Sequence, residues 1–525
     1  MEQIVVIVSF LALFAFIHAK LQYELHMMQL NSYRNKRYYR WLRKHLFEQK
    51  RVIELIFCII ITLIFFTKIN YATVISIIVL YSFLSYSYFS KKQKKPLVYT
   101  KRAKRLYVAL WILTLTPIIV TAVFLGVSKK TVLIGCGIIV FSFLIIGFAN
   151  IILQPVEKKI NNWYYKDAQR ILKQMPELLV IGITGSYGKT STKHFLHRIL
   201  SEKYNVLMTP GSFNTTMGVI RTIREYLKPT HQVFIVEMGA KQIGDIKEIC
   251  DLVNPKYGIL TAVGEQHLET FKTIENVQKT KFELIDSLPP DGLGILNADY
   301  EYIRNKKVDN CKTLYYSTQT TESDYSVANI KYSKKGATFN ILQKTDNIGE
   351  FETKLLGDYN LSNILASVIL ARHLKVDLEN ISYAIKKMVP VQHRMEIKKN
   401  NNGITIIDDA FNSNPVGAKM ALNVLKNIEG TRKIIITPGM IELADKQDFY
   451  NRIFGKQISD ACDYVVLVGK QITQPIYEGL VETGYKTENI YIAQNFTEAS
   501  QHISKFVKSG DVILYENDLP DTYEK

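Results

Sequence analysis

The chain has 525 residues, too many for one ordinary domain, with 47% hydrophobic and 22% charged residues. Its net charge of +18 is unevenly spread: through Val156 there are 20 Lys and Arg against 4 Asp and Glu, which leaves 46 against 44 for the rest. A nucleic-acid reader is therefore excluded, because the excess positive charge lies among apolar runs rather than on a folded reader domain.

In chain order, apolar runs cover 4–19, 52–66, 72–89, 106–127 and 131–153, each near the roughly 20 residues that cross a bilayer as helix. They are read as five membrane helices. The loop 20–51 carries nine cations and the loop 91–105 carries eight, whereas the intervening turns hold only Lys68, Lys129 and Lys130. Positive loops kept inside place the N-terminus outside and everything after Leu153 in the cytoplasm, giving a multi-pass protein of the plasma membrane surrounded by membrane lipids. A signal peptide is the alternative for the first run, but Met-Glu-Gln supplies no positive n-region and no cleavage site is evident. The stretch 31–51 mixes Tyr, Trp41, Leu42 and Phe47 with Arg and Lys. It reads either as a helix on an anionic lipid surface or as a solvated loop. Five scattered cysteines without a CxxC pair argue for a reducing compartment and against structural zinc.

Residues 154–177 read as an amphipathic connector helix. Apolar strands then alternate with polar-faced helices, the pattern of a mostly parallel α/β sheet. Strands are expected at 178–184, 233–237, 257–263 and 294–297, and again at 405–408, 433–438, 464–468, 490–493 and 511–515. Residues 326–356 alternate as a short antiparallel insertion. A break near 388–393 divides the α/β region, so the expected fold is a helical membrane domain (1–153), the connector, a P-loop domain (178–390) and a Rossmann-like α/β domain (391–525).

The strongest chemical signal is the run from Leu179 through Thr184, Gly185, Ser186, Tyr187, Gly188, Lys189, Thr190 and Ser191. An apolar strand enters a glycine turn, then Lys-Thr, then a helix. The N–H groups of such a turn and the helix N-terminus attract phosphate, Lys189 reaches it, and Thr190 can ligate magnesium. The strict Walker pattern fails, because Ile183 stands where its first glycine belongs. Glu237 ends an apolar strand at the edge where doubly wound sheets bind ligands, and a carboxylate there suits magnesium; a merely solvated strand end is the bland alternative. Asn360 and Asn363 lie one helical turn apart and can both face a purine, or simply cap a helix.

The phosphate-loop motif resembles that of the Mur ligases, the ATP-dependent amide ligases of peptidoglycan precursors. Further matches follow in order: Asn214-Thr-Thr-Met-Gly218, Glu237-Met-Gly-Ala240, Gly264-Glu-Gln-His267-Leu-Glu269, Lys279-Thr-Lys281, Leu356-Gly-Asp-Tyr-Asn360-Leu-Ser-Asn363, His393-Arg394-Met-Glu396 and Asp408-Asp409-Ala-Phe-Asn412-Ser-Asn414-Pro415. Together they look most like the MurF branch, which adds D-alanyl-D-alanine to a muramoyl tripeptide. The resemblance implies ATP and Mg2+, with Gly185, Ser186, Gly188, Lys189, Thr190 and Ser191 around phosphate. It makes Thr190, Glu237, His267 and a carbamylated Lys281 the metal-binding groups, with Lys279 as rival for the carbamate. Asn214 joins Lys189, His267 and Lys281 in catalysis, Asn360 and Asn363 take adenine, Arg394 reaches phosphate and Asp409 meets the ribose. The partners it implies are a cell-envelope carboxylate acceptor and an amino acid or dipeptide amine.

Two departures stand out. The helical segment occupies the place of the family's uridine-nucleotide-sugar domain, which points to a membrane-linked acceptor such as a lipid-carried muropeptide. The family's basic Lys-x-Ser-Arg element is replaced by Glu516-Asn-Asp518, so an anion site has become acidic: a receptor for a cationic amine or a solvated turn. Alternatives from other classes are poly-γ-glutamate or folylpolyglutamate synthesis, a non-catalytic nucleotide sensor, and a transporter, the last disfavoured by the scarcity of intramembrane charge.

Overall fold

The first helix, α1 (Glu2–Leu30), continues well into the expected first loop, followed by α2 (Asn35–His45), α3 (Gln49–Phe65), α4 (Tyr71–Phe89), α5 (Lys101–Leu125) and α6 (Ser142–Lys173). The structure, a computed structural model, describes residues 2–45, 49–65, 71–89, 96–126, 134, 137–266, 268–333, 336–399, 402–410 and 413–518. Two compact units divide the chain between Asn162 and Trp163.

The N-terminal unit is a helical cluster cored by Phe16, Leu21, Leu25, Tyr38, Leu84, Leu110 and Ile146. Because α1 continues past residue 19, Lys20 and Glu24 lie inside this core instead of in a solvated loop. Lys20 Nζ sits 2.5 Å from Glu54 Oε2 and 3.5 Å from Glu24 Oε1, while the Tyr38 and Tyr88 hydroxyls donate to Glu24 and Glu54 at 2.5 and 2.6 Å. Buried charges persist only when paired in this way.

This overturns the expected five-span, multi-pass arrangement with an external N-terminus. Among the described residues one helical segment, Lys101–Phe124, is long and apolar enough to cross a membrane. The runs 4–19, 52–66 and 72–89 fall largely within α1, α3 and α4, and 131–153 lies partly outside the described residues. Counting apolar residues missed the charged interior. The lipid-surface reading of 31–51 fails for a related reason: in α2, Tyr38, Trp41 and Leu42 are spent on the protein's own core.

In the second unit, strands β1 (Leu179–Thr184), β2 (Val206–Met208), β3 (Val233–Glu237), β4 (Tyr257–Leu260), β5 (Leu293–Asn297), β6 (Lys312–Ser317), β7 (Tyr325–Ser333), β8 (Gly336–Gln343) and β9 (Asp346–Thr353) form one sheet, in the order β2-β3-β1-β4-β5-β6-β7-β8-β9. It is parallel from β2 through β7 and ends in two antiparallel pairs. The 326–356 segment is thus an extension of the main sheet, joined to it through β6.

Strand periodicity builds both faces. Ile181, Ile183 and Ile235 point to one side, against Phe195, Leu196 and Ile199 of helix α7 (Lys189–Leu200). Val180, Phe234 and Val236 point to the other, against Val219 of α8 (Thr216–Glu225), Ile249 of α9 (Asp245–Val253) and Ile285. Sheets covered on both faces need such nearly continuous apolar strands, and each buried side chain contributes about 1.5–3 kcal/mol. The chain continues through α10 (Leu268–Phe271), α11 (Ile274–Asp286), α12 (Glu301–Arg304), α13 (Asp358–His373) and α14 (Leu378–Lys386).

A second sheet follows, from β10 (Glu396–Lys399), β11 (Thr405–Asp409), β12 (Lys433–Thr437), β13 (Tyr464–Val468), β14 (Ile490–Ala493) and β15 (Val512–Glu516), ordered β10-β11-β15-β12-β13-β14. Only β10 is antiparallel to its neighbour. Its helices are α15 (Pro415–Asn427), α16 (Gln447–Ser459), α17 (Gln474–Glu482) and α18 (Phe496–Ser504). In both sheets the parallel strands deliver their last residues to one edge, where the candidate site lies.

Candidate nucleotide site

The phosphate loop is shaped by two glycines. Gly188 has φ +78°, and a Cβ there would come within 2.5 Å of Asn363 Oδ1; at Gly185 it would meet Thr261 Oγ1 at 2.1 Å. Thr261 explains why β4 stops at Leu260 and not at 263: its N–H bonds the Thr184 carbonyl at 3.0 Å, its hydroxyl donates to the Tyr187 carbonyl, and the chain turns over the loop. Ser186 N–H donates to Ala262 O at 2.8 Å, and the Ser186 hydroxyl donates to Gly264 O at 3.0 Å. The side chain of Lys189 folds back onto the carbonyls of Gly185 (2.6 Å) and Ser186 (3.3 Å). Burial pushes its ammonium down to about 8, partly opposed by Glu237.

Glu237, 1% exposed, is the centre of the arrangement. Its Oε1 accepts from Thr190 Oγ1 at 3.2 Å and Asn214 Nδ2 at 3.1 Å, and its Oε2 is ion-paired with Lys193 Nζ at 2.9 Å. Burial raises its pKa, but Lys193 and Lys189 more than offset that and hold it below the usual carboxylate range. A hydroxyl and a carboxylate oxygen side by side next to a phosphate loop are the hard oxygen donors that suit Mg2+, so these residues fit the ion that the sequence implies. His267 lies outside the described residues.

The two lysine candidates separate cleanly. Lys281 is 2% exposed, and burial followed by repulsion from Lys189 pushes its ammonium well below the ordinary lysine value; Lys279 is exposed.

Both asparagines of α13 are buried, but their contacts differ from a simple pair facing a purine. Asn363 Oδ1 accepts from Thr192 Oγ1 at 3.0 Å, tying α13 to the phosphate-loop helix, and Asn360 Nδ2 donates to Leu356 O within its own turn at 2.9 Å. Ser191 is buried in the first turn of α7.

From the second sheet, Arg394 is flanked by His393 and Met395, both in the left-handed region at φ 57° and 48°. Non-glycine residues pay for that conformation and keep it where contacts enforce it. Here His393 Nδ1 lies 2.8 Å from Asp408 Oδ2, and Met395 N–H donates to Asp409 Oδ1 at 3.1 Å. Arg394, from the second sheet's side, interacts electrostatically with Asp409, Glu237 and Lys189.

Asp409 pairs in register with Glu516 on the adjacent strand. Burial pushes Asp409 up to about 6 against the pull of Arg394; burial and then Asp409 push Glu516 well upward. Glu516 is not a solvated turn: it is 1% exposed, accepts from Ser413 Oγ at 2.6 Å, and its Oε2 has no hydrogen-bond partner among the described residues. Sequence reasoning passed over Lys193, visible only as a lysine one turn after Lys189, and over the pairing of Glu265 with Lys446, which left no sequence signal at all.

A P-loop sheet and a second α/β sheet bring basic and acidic side chains together between their strand edges, an arrangement suited to binding a nucleotide's phosphates. Residues 183–371 match the Mur ligase middle domain and 393–515 match the Mur ligase glutamate ligase domain. The chain is 30% identical over 342 residues to the UDP-N-acetylmuramoyl-tripeptide–D-alanyl-D-alanine ligase of Bacillus subtilis, covering 64% of this chain and 72% of that protein. It is 28% identical over 303 residues to the Escherichia coli protein of the same name, covering 57% of this chain and 66% of that protein. The fold is similar to the crystal structure of a MurF ligase from Thermotoga maritima in complex with ADP, with TM-score 0.62 and 23% identity over 69% of this chain and 81% of that one. The chain belongs to the Mur ligase family of ATP-dependent, ADP-forming amide ligases and is MurF-like within it.

Proposed function

We propose that the chain uses ATP to activate a carboxylate of a peptidoglycan precursor and joins it to an amine, with residues 178–390 holding ATP and 391–525 closing over it. By analogy with the relatives' names, the acceptor is UDP-N-acetylmuramoyl tripeptide and the donor D-alanyl-D-alanine. The observation that carries this reading is Glu237, a buried carboxylate bracketed by Thr190, Asn214, Lys193 and Lys189 at the mouth of a phosphate loop. A lipid-linked acceptor and poly-γ-glutamate-type synthesis draw no comparable support.

In this scheme the acceptor carboxylate attacks the γ-phosphorus, the bond to ADP breaks, and an acyl phosphate forms. The amine then attacks the carbonyl carbon, gives up a proton, and phosphate leaves as the amide forms. Several anionic oxygens must be held together, so the residues act mainly by positioning and charge neutralisation. Gly185, Ser186, Gly188 and Ser191 shape the cradle and Lys189 neutralises phosphate charge. Thr190 and Glu237, with His267 as the family resemblance implies, would hold Mg2+, which when bound would supply Lewis-acid charge neutralisation. Arg394 and Asp409 meet phosphate and ribose from the second sheet, and Asn363 braces the phosphate-loop helix through Thr192. Burial that favours a neutral Lys281 amine suits carbamylation by carbon dioxide, which would convert it to an anion. Asn214 fixes Glu237.

Replacing Lys189 with Ala tests the reading. A ligase loses acceptor-dependent ADP release; ADP release that persists unchanged removes the phosphate loop from the chemistry.

A further inference from the structure

One helical turn beyond Lys189, a second lysine of α7 is directed into the same centre. Lys193 is 0% exposed. Its ammonium lies 2.9 Å from Glu237 Oε2 and donates to the Gly211 carbonyl at 2.7 Å. A buried ammonium is costly unless it is paired, so this contact with Glu237 is a fixed feature of the fold and not a transient surface bridge.

The two oxygens of Glu237 are therefore used differently. Oε1 accepts from the Thr190 hydroxyl and Asn214 amide, while Oε2 takes no hydrogen bond among the described residues and is engaged by the ion pair with Lys193 at 2.9 Å. We propose that Lys193 is the positioning residue of the metal site, occupying Glu237 Oε2 so that the carboxylate presents one oxygen, beside Thr190, to a divalent cation. This proposal rests on the ATP-ligase reading above.

Its chemical consequence is selectivity. Mg2+ demands a tight octahedral shell, keeps several waters and takes few protein ligands, whereas the larger Ca2+ accepts more oxygens, including both oxygens of one carboxylate. A Glu237 confined to one oxygen favours the smaller ion. Lys193 offsets the single negative charge of Glu237, and Lys189 and Arg394 add positive charge nearby, which weakens either divalent ion alike and leaves the choice between them to the number of carboxylate oxygens presented. Among the described residues no group of three His, Cys, Asp or Glu side chains is placed to hold a metal.

The test is calorimetric binding of ADP to the full chain in Mg2+ and in Ca2+. The wild type binds ADP more tightly with Mg2+. In Lys193→Met, released Glu237 offers both oxygens, and the Mg2+-over-Ca2+ preference falls about tenfold, the scale on which loss of a ligand's supporting partner changes metal affinity. If Lys193 is only a structural element, ADP affinity falls equally with both ions and the ratio stays put, which overturns the proposal. Should Lys193→Met fail to fold, Lys193→Gln, which can keep the bond to the Gly211 carbonyl without the charge, reads the same ratio. A wild type that binds ADP with neither ion points instead to failure of the ligase reading.

Discussion

Lys446 Nζ sits 2.6 Å from Glu265 Oε1, and the Tyr450 hydroxyl donates to the other oxygen of the same carboxylate, joining residues 181 and 185 positions apart. Glu265 belongs to the loop after β4 that also covers the phosphate loop, since the Tyr187 hydroxyl donates to its carbonyl at 3.3 Å. The clasp therefore holds the start of α16 against the turn that cradles phosphate. Lys446 is half exposed, so Lys446→Ala costs less than about 1 kcal/mol of stability. Its effect falls on closure, raising the KM for ATP by up to about fivefold, the factor that 1 kcal/mol represents. Steady-state kinetics beside a melting curve separate the two effects.

Gly188→Ala tests the shape of the loop. The new Cβ pays about 1–2 kcal/mol for the left-handed backbone and strikes Asn363 Oδ1. The expected outcome is a lowered melting temperature together with loss of ADP binding measured by calorimetry. Asn363→Ala removes the obstacle and the Thr192 bond, and in combination it recovers only part of the stability, because the backbone cost remains.

Glu516→Gln tests the carboxylate pair through pH. Asp409 and Glu516 both have folded values above their ordinary ones. Their folded state binds more protons than the unfolded chain, so they cost the protein stability as pH rises from about 4 through the folded values. The amide removes one charge and relieves its partner. Melting temperature rises by about 1 °C at pH 8, as about 1 kcal/mol produces in a chain of 525 residues, and is unchanged near pH 4. Equal shifts at both pH values contradict the coupling.

Lys281→Ala and Lys279→Ala distinguish the two lysines. The buried Lys281 amine lies near Lys189, and its loss lowers ligation at least about 100-fold, the scale of removing one electrostatic stabiliser. Lys279 is exposed, and its replacement leaves the rate within about twofold of wild type, since surface changes of this kind stay within about 0.5 kcal/mol. Product formation per unit time is the readout.

Much of the second unit was legible because a sheet buried on both faces needs strands such as Val233–Glu237 in which every residue is buried. Strands β2, β6 and β10 were not: Val206–Met208 is three residues long and only half-buried, and Lys312–Ser317 begins with an exposed lysine. In the first unit, apolar runs were legible but their setting was not, because Lys20 finds Glu54 34 residues away and so escapes the solvent that its charge suggests. The site divides in the same way. The phosphate loop is local, written in Gly185, Gly188, Lys189 and Thr190. The pairing of Lys193 with Glu237, the bond from Thr192 to Asn363 and the clasp at Glu265 join distant segments, and residue types alone do not specify them.

The most direct measurement supplies the full chain with ATP, Mg2+, UDP-N-acetylmuramoyl tripeptide and D-alanyl-D-alanine, following ADP release and product mass together. The expected result is one ADP per new amide, with a product heavier by the dipeptide less one water and no product in Lys189→Ala. ADP release without a mass change, or neither signal while a MurF enzyme in parallel gives both, contradicts the proposed substrates.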